Sequence, residues 1–155
     1  MNILVIGGSR GVGKAVVLGM SRPGNVIFLN NREVDSAVSE VRATAEELGA
    51  TVVLVPGDIA SPEGANNVAD AVRERSDRID LVVHCAVAGY PVDSLTSTPD
   101  QLRHAVEVNA LSLVYVVQAV ADLLGRGSSI VYLSSRGARV ALRDYVTVGG
   151  DQGDG

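Results

Sequence analysis

Tryptophan is absent and phenylalanine occurs once, which leaves few of the aromatic platforms on which nucleic-acid bases stack. A single cysteine excludes an internal disulfide framework and suits a reducing compartment, the cytoplasm. That cysteine and the two histidines fall on unrelated segments, so no metal site is expected. There is no basic block and the net charge is −5, which argues against nucleic acid as a partner. Apolar runs stay short. The first, Ile3 to Ile6, reaches neither signal-peptide nor membrane-span length, and no membrane association is expected. Internal repeats and linkers are missing too. With 46% hydrophobic and 20% charged residues, the chain suits one folded domain, 1–155, with a real core.

What the chain does have is concentrated at its start. Asn2 to Ile6 reads as a short buried strand, Gly7-Gly8-Ser9-Arg10-Gly11-Val12-Gly13-Lys14 as a turn, and Ala15-Val16-Val17-Leu18 as the start of a helix. Glycines let the backbone turn sharply and let a pyrophosphate approach it, while the helix N-terminus offers unpaired N–H groups to an anion. The spacing of Gly7, Gly11 and Gly13 differs from Gly-x-Gly-x-x-Gly. Ala15 after Lys14 also departs from the ending of a nucleotide-hydrolysing P-loop. The plainer reading is a glycine-rich turn that holds no ligand.

Further strands are expected at Asn25–Asn30, Thr51–Val55, Leu81–Ala86 and Ser129–Leu133. Between them, Asp35–Leu48 has apolar residues at helical spacing with Gly49 as a stop, and Ser61-Pro62-Glu63 opens another helix. Thr98-Pro99-Asp100-Gln101 is a capping box on a long helix expected to run to about Leu124. Apolar strands alternating with helices predict an α/β fold: a Rossmann-like, doubly wound parallel sheet in the order 3-2-1-4-5. Ligands of such sheets lie beyond the carboxyl ends of strands one and four. That rule gathers Gly7–Gly13, Asn30–Arg32, Asp58, Cys85–Val87 and Ser134–Ser135 around one crevice.

In this order the motifs resemble those of the short-chain dehydrogenase/reductase family, along essentially the whole chain. Ile6-Gly7-Gly8-Ser9-Arg10-Gly11-Val12-Gly13 is similar to the family's Thr-Gly-x-x-x-Gly-x-Gly turn, with Ile6 in the threonine place. The resemblance implies cofactor contacts from Gly7, Ser9, Arg10, Gly11, Val12 and Gly13, and from Asp58 and Ile59 of Gly-Asp-Ile, Asp58 facing adenine. Cys85 and Ala86 after strand four would complete that wall. Asn109 in Val-Asn-Ala, Ser135 in Leu-Ser-Ser and Tyr145 match the family's catalytic asparagine, serine and tyrosine. Tyr145 would protonate the developing oxyanion, Ser135 would bond the substrate oxygen, and Asn109 would hold a water or helix carbonyl in a proton relay. Around Arg143–Gly149 the chain resembles enoyl-acyl carrier protein reductases of the third type. The resemblance also implies a homo-oligomer through the apolar helix around 99–124, and a small-molecule carbonyl or acyl thioester as substrate.

Cofactor choice has a physical argument of its own. Strand two ends in Asn30-Asn31-Arg32, not in the carboxylate that would bond a ribose 2′-hydroxyl, and Arg10 and Arg32 together suit a 2′-phosphate. NADP(H) is therefore expected over NAD(H), although either arginine also reads as an ordinary solvated side chain. His84-Cys85-Ala86-Val87 stands where the family has Asn-Asn-Ala-Gly. His84 and Cys85 are not expected to act as a pair, since neighbouring strand residues point to opposite faces. Cys85 itself reads as core or as cleft wall, and His104 is expected on an exposed helix face.

The sequence runs ten residues past Tyr145, without the lysine and last strands of the resembled family. If the tail codons were GGC GGG GAC CAA GGC GAC GGC, loss of one G would read Gly-Gly-Thr-Lys-Ala-Thr, with lysine seven after Tyr145. The expectation is a frame-shifted or naturally truncated reductase, incomplete at its C-terminus and impaired in hydride transfer to a carbonyl or enoyl thioester. The competing expectation is a non-catalytic protein that binds a dinucleotide or a protein partner.

Overall fold

Ile3, Leu4, Val5 and Ile6 are all fully buried, because the strand that carries them, β1 (Asn2–Ile6), lies mid-sheet with helices over both faces. The computed structural model describes residues 1–90, 92 and 95–135, so Tyr145 and the tail lie outside the described residues. Around β1 the parallel neighbours are β2 (Val26–Asn30) and β4 (Ile79–His84), flanked by β3 (Thr51–Leu54) and β5 (Leu124–Tyr132). The order is β3-β2-β1-β4-β5, as expected.

Alternation along β1 divides the core. Ile3 and Val5 join Val17, Ile27, Leu29, Val38 and Val41 under α1 (Gly11–Met20) and α2 (Ser36–Glu47). Leu4 and Ile6 join Phe28, Val68, Val72, Val82, Val116 and Val120 on the opposite face. That face is covered by α3 (Pro62–Arg73) and α5 (Ser112–Ala119), and α4 (Pro99–Val106) leads into α5. Each such aliphatic side chain stabilises the fold by about 1.5–3 kcal/mol. The expected caps are present. The Ser61 hydroxyl accepts from the Gly64 N–H, and Thr98 and Gln101 form a reciprocal box. Asp35 caps α2 through the Val38 N–H.

Several boundaries differ from expectation. The helix expected to run unbroken to Leu124 is interrupted by a π-helical turn at Glu107–Leu111 and ends in a 3₁₀ turn at Ala121–Leu123. The Ser112 N–H reaches back five residues to the Glu107 carbonyl, which widens the helix there. Leu124 already belongs to β5, five residues before the expected start of that strand. Gly127 at φ 90 and the register shift opposite Ile79/Leu81 accommodate the extra residues, and the Ser128 hydroxyl donates to the Ile79 carbonyl. Strand β4 starts earlier and stops at His84, so Cys85 and Ala86 lie on the loop beyond it.

His84 is completely buried, and its Nε2 lies 2.8 Å from the Ser112 hydroxyl. That hydroxyl donates to the Val108 carbonyl at 2.5 Å, so the imidazole must donate from Nε2. Its Nδ1 is buried with no partner, and the ring packs against Tyr132 at 5.5 Å. Burial lowers the His84 pKa to about 4. The unfolded chain takes up this proton near pH 6.5. Stability from the neutral ring is therefore complete above pH 6.5 and lost as pH falls from 6.5 to 4, by roughly 3 kcal/mol in all. Urea unfolding at pH 7 and pH 4.5 should show that loss. A His84→Asn variant should lack it, retaining only the acid sensitivity of carboxylates such as Asp80 and Asp122.

Candidate functional site

The loops at the carboxyl ends of β1, β2, β3 and β4 enclose a cavity of about 620 Å³. Its floor is the turn between β1 and α1, which tolerates no side chain at two points. Gly7 has φ 76, and a Cβ there would lie 2.7 Å from the Ala86 Cα. A Cβ on Gly13 would lie 2.1 Å from the Gly7 carbonyl oxygen. The Gly7 and Gly8 N–H groups both point at the Asn30 carbonyl, at 3.0 and 3.4 Å, which stitches the turn to β2. Ser9, buried, accepts from Asn31 Nδ2 at 2.7 Å. The Asn31 Oδ1 is buried without a partner. Asn30 donates to the Val55 and Gly57 carbonyls and so fixes the β3 end of the cleft.

The entry to α1 is arranged for an anion. Its N-cap, Arg10, makes no side-chain cap and its first turn holds no acid, so the leading N–H groups keep their positive field unneutralised by protein. Around the rim, Arg10 donates to Asp35 at 2.7 Å, and Arg32 lies 3.9 Å from Glu33. The exposed Asp58 carboxylate accepts from the Ala60 N–H at 3.1 Å, and Ile59 beside it is buried. Cys85 is half-buried, and burial raises its thiol pKa, which keeps it protonated and unreactive near neutral pH.

All eleven cofactor candidates from the sequence line this one cavity: Gly7, Ser9, Arg10, Gly11, Val12, Gly13, Arg32, Asp58, Ile59, Cys85 and Ala86. The catalytic candidates are distributed differently. Asn109 sits on the π-helical turn, where its side chain accepts from the Ala88 N–H at 2.8 Å and donates to the Ala88 carbonyl at 2.7 Å. Its own carbonyl accepts from the Tyr132 hydroxyl. Asn109 therefore clamps the cavity wall at Ala88. Ser135 lies three residues beyond β5, half-buried, and Tyr145 is outside the described residues. His104 corrects another expectation. It is half-buried on the cavity wall with Val108, one helical turn away, and its ring lies 6.3 Å from that of Tyr90. The spacing of four that puts His104 and Val108 on one face was readable in the sequence. Asp35 was missed as a site residue because it was read only as a helix start. Among the described residues, no cluster of histidine, cysteine or acids could hold a metal, and no helix is long and apolar enough to cross a membrane.

Residues 6–151 match the family model described as enoyl-(acyl carrier protein) reductase. The chain is 29% identical over 147 residues to 1-cyclohexenylcarbonyl-CoA reductase of Streptomyces collinus, covering 95% of this chain and 52% of that one. It is 31% identical over 143 residues to an L-rhamnose 1-dehydrogenase (NAD(P)(+)) of Sphingomonas, covering 89% and 56%. A solved short-chain dehydrogenase from Burkholderia cenocepacia, in complex with NADP, superposes with a TM-score of 0.83 at 28% identity, covering 91% of this chain and 58% of that one. The chain thus spans little more than half the length of these relatives.

The Asn109 clamp gives a direct test. Asn109→Ala leaves both Ala88 main-chain groups without their side-chain partner and should cost about 1–3 kcal/mol in urea unfolding. Amide exchange at Ala88 should accelerate in step with that loss.

Proposed function

We propose, from the short-chain dehydrogenase/reductase family to which this chain belongs, that the cleft binds NADP(H) and that the whole protein is an oxidoreductase. The substrate class we assign is a small carbonyl compound or an enoyl thioester, and the working compartment the cytoplasm. The observation that carries this reading is the cradle. Gly7 and Gly13 let the turn pack against Ala86 and against its own backbone, where a side chain would clash, and this close packing leaves bare backbone at the mouth of α1 to face a pyrophosphate. The first turn of α1 would hold that pyrophosphate, Asp58 and Ile59 the adenosine end, and Arg10 and Arg32 the 2′-phosphate. The bound cofactor supplies hydride-carrying chemistry.

The chain's own residues do the rest. Asn109 fixes the wall at Ala88. Ser135 would bond the substrate oxygen and Tyr145 would deliver the proton to it. A phenol ionises near neutral pH only beside a cation. Lys14, in α1 and ion-paired with Glu40, is the only lysine of the chain. A second reading has the chain bind the dinucleotide without turning substrate over.

Calorimetric titration separates these readings. NADPH should bind more tightly than NADH, and Arg10→Ala with Arg32→Ala should weaken NADPH about tenfold while leaving NADH nearly unchanged. Equal weakening of both cofactors would sink the assignment of these arginines to the 2′-phosphate. Turnover with carbonyl and enoyl thioester substrates would then decide between enzyme and binder. We also propose self-association through the segment of α4, the π-helical turn and α5. Val106, Leu111 and Val114 leave 55%, 39% and 48% of their surface exposed there, while Val108 and Val116 are buried. Light scattering at micromolar concentration should give more than one chain's mass, and Val114→Glu should reduce it to one.

A further inference from the structure

We propose that Asp35 is a built-in competitor for the 2′-phosphate of NADP(H), so that the cleft chooses between NADPH and NADH by exchanging anions on Arg10. The proposal rests on the reading of the cleft as a dinucleotide site. Both residues line the cavity, and each stands at a helix entry, Arg10 before α1 and Asp35 before α2. The Asp35 carboxylate is held twice. One oxygen takes the Val38 N–H at 2.9 Å and the other takes Arg10 Nη2 at 2.7 Å. It cannot swing out of the cleft without giving up the α2 cap.

The charge around the rim makes the competition real. Arg10 and Arg32 face three lining carboxylates, Glu33, Asp35 and Asp58. A phosphate arriving at Arg10 must displace Asp35 from the guanidinium and then sit beside a carboxylate that has lost its partner. A ribose 2′-hydroxyl meets no such obstacle, since it can donate to the same carboxylate. Asp35 thus penalises NADPH and leaves NADH unpenalised. Glu33 contributes less, because its distance to Arg32 is 3.9 Å. Arg10 and Asp35 are 76% and 43% exposed, so solvent screens the pair and the effect is of modest size.

Asp35→Asn tests this cleanly, because asparagine caps a helix as well as aspartate does. Asp35→Ser is a second neutral cap should the first variant fold poorly. Glu40→Gln is the control: it removes the same charge from the same helix, outside the cavity lining. NADPH and NADH are titrated into each protein at low salt and at about 0.5 M salt. The expected result is an NADPH-over-NADH affinity ratio raised roughly three- to tenfold by Asp35→Asn or Asp35→Ser. Glu40→Gln should leave the ratio unchanged, and the gain should shrink at high salt. If the unsubstituted chain binds NADPH but the Asp35 variants leave the ratio unchanged or lower it, Asp35 only orients Arg10 and the proposal fails while the cleft reading stands. If the unsubstituted chain binds neither nucleotide, the cleft reading is overturned and this proposal with it.

Discussion

The contact between Gly13 and the Gly7 carbonyl is the constraint from which the site is built. With a hypothetical Cβ only 2.1 Å from that oxygen, α1 can start where it does only because residue 13 has no side chain. This close approach aims the N-terminus of α1 across the carboxyl end of β1, and the left-handed Gly7 brings the turn against Ala86 of the β4 loop. The Asn30 carbonyl takes both Gly7 and Gly8 N–H groups, so the turn is also tied to β2. Three loops from three strands thus meet at one point, with backbone and not side chains facing the cavity. A larger residue at position 7 or 13 would force the helix or the β4 loop outward and dissolve the cleft before any chemistry was affected.

A second set of contacts holds the far wall. His84 and Tyr132 are register partners on β4 and β5, and both reach up to the π-helical turn, His84 through Ser112 to the Val108 carbonyl and Tyr132 to the Asn109 carbonyl. The widened turn frees carbonyls that a regular helix would use internally, and side chains take them up, Ser112 of α5 at Val108 and Tyr132 of β5 at Asn109. From the same turn Asn109 grips both main-chain groups of Ala88. Sheet, helix and cavity wall are therefore joined by one polar chain, buried at His84 and Ser112, half-buried at Asn109 and exposed at Tyr132. The unpartnered Nδ1 of His84 is its weak link, since protonation there would place a charge in the core.

The parts of this arrangement that follow local rules were legible in the sequence. Strand order, the Ser61 and Thr98 caps and the gathering of Gly7–Gly13 with Asp58 and Cys85 all follow from periodicity, cap chemistry and the right-handed crossover rule. What stayed hidden depended on contacts between distant segments. The helix break at Glu107–Leu111 comes from Ser112 bonding backward while His84, 28 residues earlier, bonds it from the strand. The early start of β5 depends on Ser128 reaching Ile79 across the sheet. The Arg10–Asp35 pair joins residues 25 apart that no periodic pattern relates. Apolar spacing reports burial, but it is silent on which polar side chain will answer which exposed carbonyl.

The placement of these groups separates binding from chemistry along the chain. Among the described residues, those lining the cavity fall between Gly7 and Val108, on the first four strands, the loops after them and the helices that follow. The residues assigned to chemistry, Asn109, Ser135 and Tyr145, follow in the sequence, on the π-helical turn, after β5 and beyond the described residues. Interactions made equally with ground and transition state give affinity without rate, and the cradle at α1 is of that kind. Rate depends on where a proton donor stands relative to the reacting atom. On the proposed reading, affinity for the dinucleotide rests on the described lining between Gly7 and Val108, whereas turnover also needs the residues assigned to chemistry. Measured binding and measured turnover are for that reason independent tests of this protein, and the first does not imply the second.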